Sequence, residues 1–143
     1  MSNIAFGFVG QTRFSDILNI HYKKIENDYD FFMSTWNDEN SKNINFNFLK
    51  CNKHNFEIEQ KKLQKIVPGN CYDKESGKLE TINKNISAQY LLFHITDVLK
   101  SIKEYESKNN KVYDSVIVCR PDHVADLSVL KSELINFTRQ CFN

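Results

Sequence analysis

The chain has 143 residues, with 19 Lys plus Arg against 18 Asp plus Glu and a formal net charge of +1 at pH 7. That length fits a single domain, residues 1–143, able to bury roughly 70% of its unfolded surface without disulfides or a structural metal. The balanced charge argues against a dedicated nucleic-acid binder, which carries a strong basic excess.

In chain order, Ile4-Ala5-Phe6-Gly7-Phe8-Val9 is an apolar run of strand length ending at Gly10. Apolarity on both faces predicts a central, buried strand. Phe14, Ile17, Leu18, His21, Tyr22 and Ile25 then recur three and four apart, which predicts a helix from about Phe14 to Glu26. Asp30–Trp36 reads as a second strand, closed by the polar break Asn37-Asp38-Glu39-Asn40. Strand, helix and strand at that separation favour a parallel crossover. Ile44, Phe46 and Phe48 alternate as a strand would. Phe56-Glu57-Ile58-Glu59 reads as a short third strand, and Gln60 to Ile66 as a helical turn or two, broken by Pro68-Gly69-Asn70. Residues 68–83, rich in polar side chains, read as an exposed loop.

Ala88, Leu91, Leu92, Ile95, Val98, Leu99, Ile102 and Tyr105 keep helical spacing, with Asn85 or Ser87 as the cap and Asn109-Asn110 as the end. Val112–Cys119 is rich in β-branched residues and predicts another strand, stopped at Arg120-Pro121-Asp122 because proline cannot continue a central ladder. A last helix is expected from about Ser128 to Cys141, with Val129, Leu130, Leu134 and Phe137 as its apolar face. The alternation of strands and helices defines the class: α/β, a three-layer Rossmann-like domain with a mostly parallel sheet.

The four cysteines, Cys51, Cys71, Cys119 and Cys141, form no CxxC pair and have no His or Cys at zinc-ligand spacing. They read as structural thiols of a reduced, cytoplasmic protein (the host cytoplasm, for a viral chain). No basic leader opens the chain, Ile4 to Val9 is too short for a signal core, and no stretch has the length of a membrane span. The sequons at Asn85 and Asn136 therefore receive no role.

Ligands of open parallel sheets bind beyond the carboxyl ends of the strands, where strand order reverses. Gly10-Gln11-Thr12-Arg13 follows the first strand and opens the first helix. Glycine permits close backbone approach, unpaired N–H groups at a helix start attract anions, and Arg13 is a bidentate phosphate donor. The plainer alternative is a strand-to-helix turn with a surface arginine. The segment is neither a Walker loop nor a GxGxxG motif. At Arg120-Pro121-Asp122, Asp122 suits a divalent cation and Arg120 a phosphate, or the two form an ion pair in a structural turn. Trp36 is placed to stack on a base or to join the core, and Asp38 to bond a ribose hydroxyl. Gln89 sits beside an apolar helical stripe, facing either the site or solvent. Of His21, His54, His94 and His123, His21 reads as a core-edge residue and His94 as a helix flank, and only His123 lies near these strand ends. No spacing supports a Ser-His-Asp or Cys-His arrangement.

Four segments, in order, resemble a family of glycosyltransferase-like proteins of bacterial polysaccharide synthesis and of large viruses. Its first strand ends in a Ser-Gly-Gln-Pro-Arg-type motif, matched here by Val9-Gly10-Gln11-Thr12-Arg13. Its second strand, Asp-Val-Phe-Ile-His-Thr-Trp-Asp, is matched by Asp30–Asn37. A helix opening Ser-x-x-Tyr is matched by Ser87-Ala88-Gln89-Tyr90. A final Tyr-Asp-x-Val-Ile-x-x-Arg-x-Asp is matched by Tyr113–Asp122. The resemblance covers residues 4–125. It implies the nucleotide-sugar-binding half of a GT-A fold, with Gly10, Gln11, Arg13, Trp36, Asp38, Gln89 and Arg120 around the donor. It also implies Asp122 as the acid holding Mn or Mg. Thr12 stands for the family's proline and Val9 for its serine. Only residues 123–143 follow Asp122, where such enzymes continue into acceptor-binding elements.

Two functions follow as expectations. One is binding of a nucleotide-diphosphate sugar, with transfer to a glycan or other acceptor. The other is a non-catalytic binding or assembly protein, viral in some settings, that kept the fold and lost transfer. A receiver-like or hydrolase reading needs acids after the first strand, where Gly10-Gln11 offers none. The partners these expectations allow are a nucleotide-sugar donor, an acceptor and a second copy of the chain in a homo-oligomer.

Overall fold

The structure is a computed structural model that describes residues 3–66, 70–72, 79–81, 86–124 and 126, with side chains described outside 63–88. Its centre is a four-stranded sheet built from β1 (Ile4–Val9), β2 (Asp30–Trp36), β3 (Lys50–His54) and β6 (Ser115–Cys119). The order is β3-β2-β1-β6 and every pairing is parallel. The chain builds outward from β1 through β2 to β3, then returns across the sheet to place β6 on the other side of β1. Strand order therefore reverses at the boundary between β1 and β6. This is the Rossmann-like α/β arrangement expected from the alternation of elements.

β1 is buried along its whole length, and so is β2 from Phe31 to Trp36. Strands covered on both faces gain from apolar side chains at every position, which explains their continuous rather than alternating hydrophobicity. One face presents Ile4, Phe6, Phe8, Phe31 and Met33 to Leu18 and Tyr22. The other presents Ala5, Val9 and Phe32 to Val98 and Ile102 of α3 (Ile86–Asn109). Gly7 lies beneath α3, where a Cβ would sit 3.1 Å from Val98 Cγ1, tighter than an ordinary contact.

The first helical segment takes an unexpected form. Residues Ile17–His21 make a π turn and Tyr22–Ile25 a tight 3-10 turn. This wide-then-tight winding leaves both Leu18 and Tyr22 fully buried. Three expectations for the middle are corrected. Phe56–Ile66 is a helix, α2, rather than a strand followed by a turn. The third strand is β3, Lys-Cys-Asn-Lys-His, whose polar composition suits a sheet edge and hides it from hydrophobic pattern reading. Ile44, Phe46 and Phe48 alternate but form no strand. Their backbone is held instead by Asn19, which donates to Asn43 O (3.0 Å) and accepts from Asn45 N (2.8 Å). Phe46 and Phe48 insert against Phe8 and Phe31.

Asp38 caps the single turn α1 (Glu39–Lys42) through a capping box with Ser41. Within the expected 68–83 loop, β4 (Asn70–Tyr72) pairs antiparallel with β5 (Leu79–Thr81). The expected Val112–Cys119 strand begins at Ser115. Tyr113 is a buried anchor before it, donating its hydroxyl to Asp30 Oδ2 at 2.7 Å. Lys111 pairs with the same carboxylate. The expected helix at 128–141 lies outside the described residues. Among the described residues no helix is long and apolar enough to cross a membrane.

Candidate functional site

The carboxyl edge of the sheet carries the turns that end β1, β2 and β6. Gly10 has φ of +96°, a conformation that side chains disfavour. Its N–H donates to Ser34 O at 3.1 Å, extending the β1–β2 ladder, and its carbonyl accepts from Thr35 Oγ1 at 2.8 Å. A hydroxyl has one proton to give, so the 3.0 Å contact between Thr12 and Thr35 must have Thr12 as donor. Thr12 is completely buried. The relay from Thr12 to Thr35 to Gly10 fixes the turn and leaves Gln11 and Arg13 exposed. Arg13 Nε donates to Gln11 Oε1 at 3.3 Å, and no acid pairs with Arg13 among the described residues.

The turn after β6 is closed by His123 N donating to Arg120 O at 3.2 Å, with Pro121 at the second position of a β-turn, where its fixed φ belongs. Tyr22 of the buried 3-10 turn donates its hydroxyl to His123 O at 2.9 Å and so anchors this loop to the core. Arg120 and Asp122 form a bidentate pair, Nε to Oδ1 at 2.9 Å and Nη2 to Oδ2 at 2.6 Å. The carboxylate's hydrogen bonds raise Arg120 above the usual guanidinium range. Phe8 and Cys119 are register partners, so the two turns leave adjacent strands side by side.

The sequence-derived residues thus divide. Gly10, Gln11, Arg13, Arg120 and Asp122 flank the β1–β6 boundary. Asp38 lies just past β2 as the cap of α1, with Oδ1 accepting from Ser41 N at 2.8 Å. Trp36 lies inside rather than at the edge: it is 7% exposed and enclosed by Phe56, Tyr90, Phe93 and His94. Gln89 is half-buried in the first turns of α3. A divalent cation at Asp122 would have to displace Arg120 from both carboxylate oxygens. Among the described residues no group of three His, Cys, Asp or Glu side chains is arranged to hold a metal. The chain's residues here do not fit a metal without rearrangement.

A second polar cluster escaped the sequence reading. Asp97 Oδ2 accepts from Ser34 Oγ (2.8 Å), Asn52 Nδ2 (2.9 Å) and His54 Nε2 (2.8 Å). Asn52 also donates to Ser101 Oγ at 3.0 Å. Burial alone would raise the Asp97 carboxyl, but the bonds from His54, Asn52 and Ser34 outweigh it and hold the group below the usual range. Asp97 is therefore ionised and can only accept, so Ser34 spends its proton on it. His94 Nδ1, 2.8 Å from Ser34 Oγ, must then donate. The remaining lone pair, on Nε2, is buried without a partner. Burial, then the neighbouring His54, depresses His94 to about 4, and the ring is neutral. His94 is thus a core residue and not a helix flank. Here serine bridges His and Asp; in a nucleophilic triad the histidine would. Ser34 is fully buried, so the cluster ties β2, β3 and α3 together without presenting a nucleophile. Its sequence signal was a serine inside an apolar strand facing His94 and Asp97, three apart on one helix. Cys119 is no poised nucleophile either, since burial pushes its thiol up to about 12.

Comparison with protein-family models, curated proteins and solved structures gives no match for this chain.

Proposed function

We propose that this domain binds a nucleotide-diphosphate sugar at the carboxyl edge of its sheet, as the donor-binding half of a GT-A-type glycosyltransferase-like protein acting in the cytoplasm. The supporting observation is the pair of arginine-bearing turns, Gly10–Arg13 and Arg120–Asp122, on adjacent parallel strands at the point where strand order reverses. Crevices at that position take phosphate-bearing ligands in open α/β sheets. Arg13 has no acidic partner among the described residues, so a diphosphate there gains a charge-assisted bond without breaking an ion pair. Arg120 can extend its remaining N–H groups to the same ligand while still bridging Asp122. Two guanidinium groups beside a diphosphate leaving group would stabilise the charge that develops as the sugar departs.

The test is thermal unfolding with uridine- or guanosine-diphosphate sugars, with and without manganese. A ligand present at 100 times its Kd should add about 2.7 kcal/mol, a rise of several degrees in Tm. Arg13→Ala combined with Arg120→Ala should abolish the rise. No shift at millimolar sugar nucleotide would sink the proposal. One observation favours the non-catalytic reading: both Asp122 carboxylate oxygens are already paired with Arg120, and among the described residues no three His, Cys, Asp or Glu side chains are grouped to hold a metal. Under that reading the thermal shift persists while sugar transfer and donor hydrolysis are absent.

A further inference from the structure

We propose that the nucleobase of the ligand stacks on Phe56, at the carboxyl end of β3, and not on Trp36. This rests on the diphosphate being seated at the β1–β6 crevice. In a doubly wound sheet, phosphates sit at the turn after the first strand, the ribose meets the end of the second strand, and the base lies beyond it. Along this edge the order from the crevice is β1, β2, β3. Two residues past the end of β2 is Asp38, whose Oδ2 carries no bond among the described residues and suits a ribose hydroxyl. The next position along the edge is β3, two and a half strand spacings, or about 12 Å, from the crevice. An extended nucleoside diphosphate can cover that reach.

β3 ends at His54 and the chain continues through Asn55 to Phe56. Asn37 N donates to His54 O at 2.8 Å, which holds the ends of β2 and β3 together. Phe56 is 42% exposed, yet it is fixed from below. Its ring meets Trp36 edge-on with centroids 5.1 Å apart and lies against Tyr90 at 5.3 Å. A rigid aromatic ring that is part open to solvent loses little entropy when a base stacks on it. Trp36, the aromatic the sequence offers first, is instead the support beneath.

Calorimetric titration of the full chain separates the two claims. Inorganic pyrophosphate reports the arginine crevice alone, while uridine and guanosine diphosphates report crevice and platform together. The diphosphates of both nucleosides should bind about five- to a hundredfold more tightly than pyrophosphate, because stacking tolerates any base. Phe56→Leu, which keeps apolar contact with Trp36, should remove most of that difference and leave only what the ribose contact at Asp38 supplies. Phe56→Tyr should restore the difference. Nucleoside diphosphate affinity unchanged in Phe56→Leu, with the variant's unfolding midpoint intact, overturns the platform and leaves the crevice standing. Should pyrophosphate fail while nucleotides bind in a Phe56-dependent way, the crevice falls and the platform stands. Silence from all three ligands overturns both.

Discussion

At Gly7 two opposed effects can be weighed. A methyl group added there would sit 3.1 Å from Val98 Cγ1, inside a strand buried on both faces. Overpacking of this kind costs about 1–3 kcal/mol, whereas replacing glycine gains only about 0.4–1 kcal/mol through the unfolded chain. Gly7→Ala is therefore expected to lower stability by roughly 1–2 kcal/mol, read as a lower urea midpoint with an unchanged slope. Gly10 differs in cause: nothing lies within 4 Å of its missing Cβ, and the obstacle is its φ of +96°. Gly10→Ala should cost about 1–2 kcal/mol in strain. It should also displace the turn that carries Arg13, weakening pyrophosphate binding as well as stability. A variant with full stability and full binding would show that the turn does not need this conformation.

His94 links residue to element, because its buried neutral ring on α3 bonds Ser34 of β2 beside the Asp97 cluster. Its folded value of about 4 lies below the ordinary histidine value of 6.5. A depressed histidine binds more protons when unfolded, so stability rises with pH through this window. The contribution is complete above about pH 6.5 and is lost as pH falls towards 4, a change of about 3 kcal/mol. Asp97 acts in the same direction at lower pH: its depressed carboxyl stabilises the fold above the ordinary carboxylate value, and that share disappears as pH falls through its folded value. His54, which donates to Asp97, faces the same cluster. Urea unfolding at pH 7.5, 5.5 and 4.5 should show the loss, and His94→Gln should flatten the slope between 6.5 and 4. An equal slope in that variant would remove His94 as the cause. Ser34→Ala leaves Asp97 short of a donor and His94 Nδ1 unpaired, and should cost about 1–3 kcal/mol at neutral pH.

The elements legible in the sequence are those whose burial follows one rule. Ile4–Val9 and Asp30–Trp36 are apolar throughout because both faces are covered, and Ala88–Tyr105 keeps helical period because one face meets the sheet. β3 was illegible because an edge strand made of Lys50, Cys51, Asn52, Lys53 and His54 needs no apolar face. Two of its side chains, Asn52 and His54, point at Asp97. Phe46 and Phe48 misled for the converse reason: they alternate because two rings enter the core from an extended segment whose backbone is satisfied by Asn19. Part of the candidate site's placement was legible for a similar topological reason. Gly10–Arg13 and Arg120–Asp122 each follow a strand, and parallel strands necessarily deliver their ends to one edge. Trp36 also follows that rule, yet tertiary packing decides its role, and no spacing in the chain announces that Phe56, Tyr90 and Phe93 close over it.

For the whole molecule, the order β3-β2-β1-β6 puts the Gly10–Arg13 and Arg120–Asp122 turns, Asp38 and Phe56, the residues of the proposed site, along one edge, while the polar cluster around Asp97 ties β2, β3 and α3 together. Tyr113 and Asp30 brace the opposite edge through the bond from the Tyr113 hydroxyl to the Asp30 carboxylate. The central claim is that a diphosphate-bearing ligand sits between the ends of β1 and β6. Its most direct test is an amide spectrum of the isotope-labelled chain, recorded while uridine diphosphate is added. Saturable shifts centred on the backbone amides of Gly10 to Arg13 and on those of Arg120 and Asp122 are predicted. A spectrum unmoved at millimolar ligand, or shifts confined to residues away from the carboxyl edge of the sheet, would contradict it.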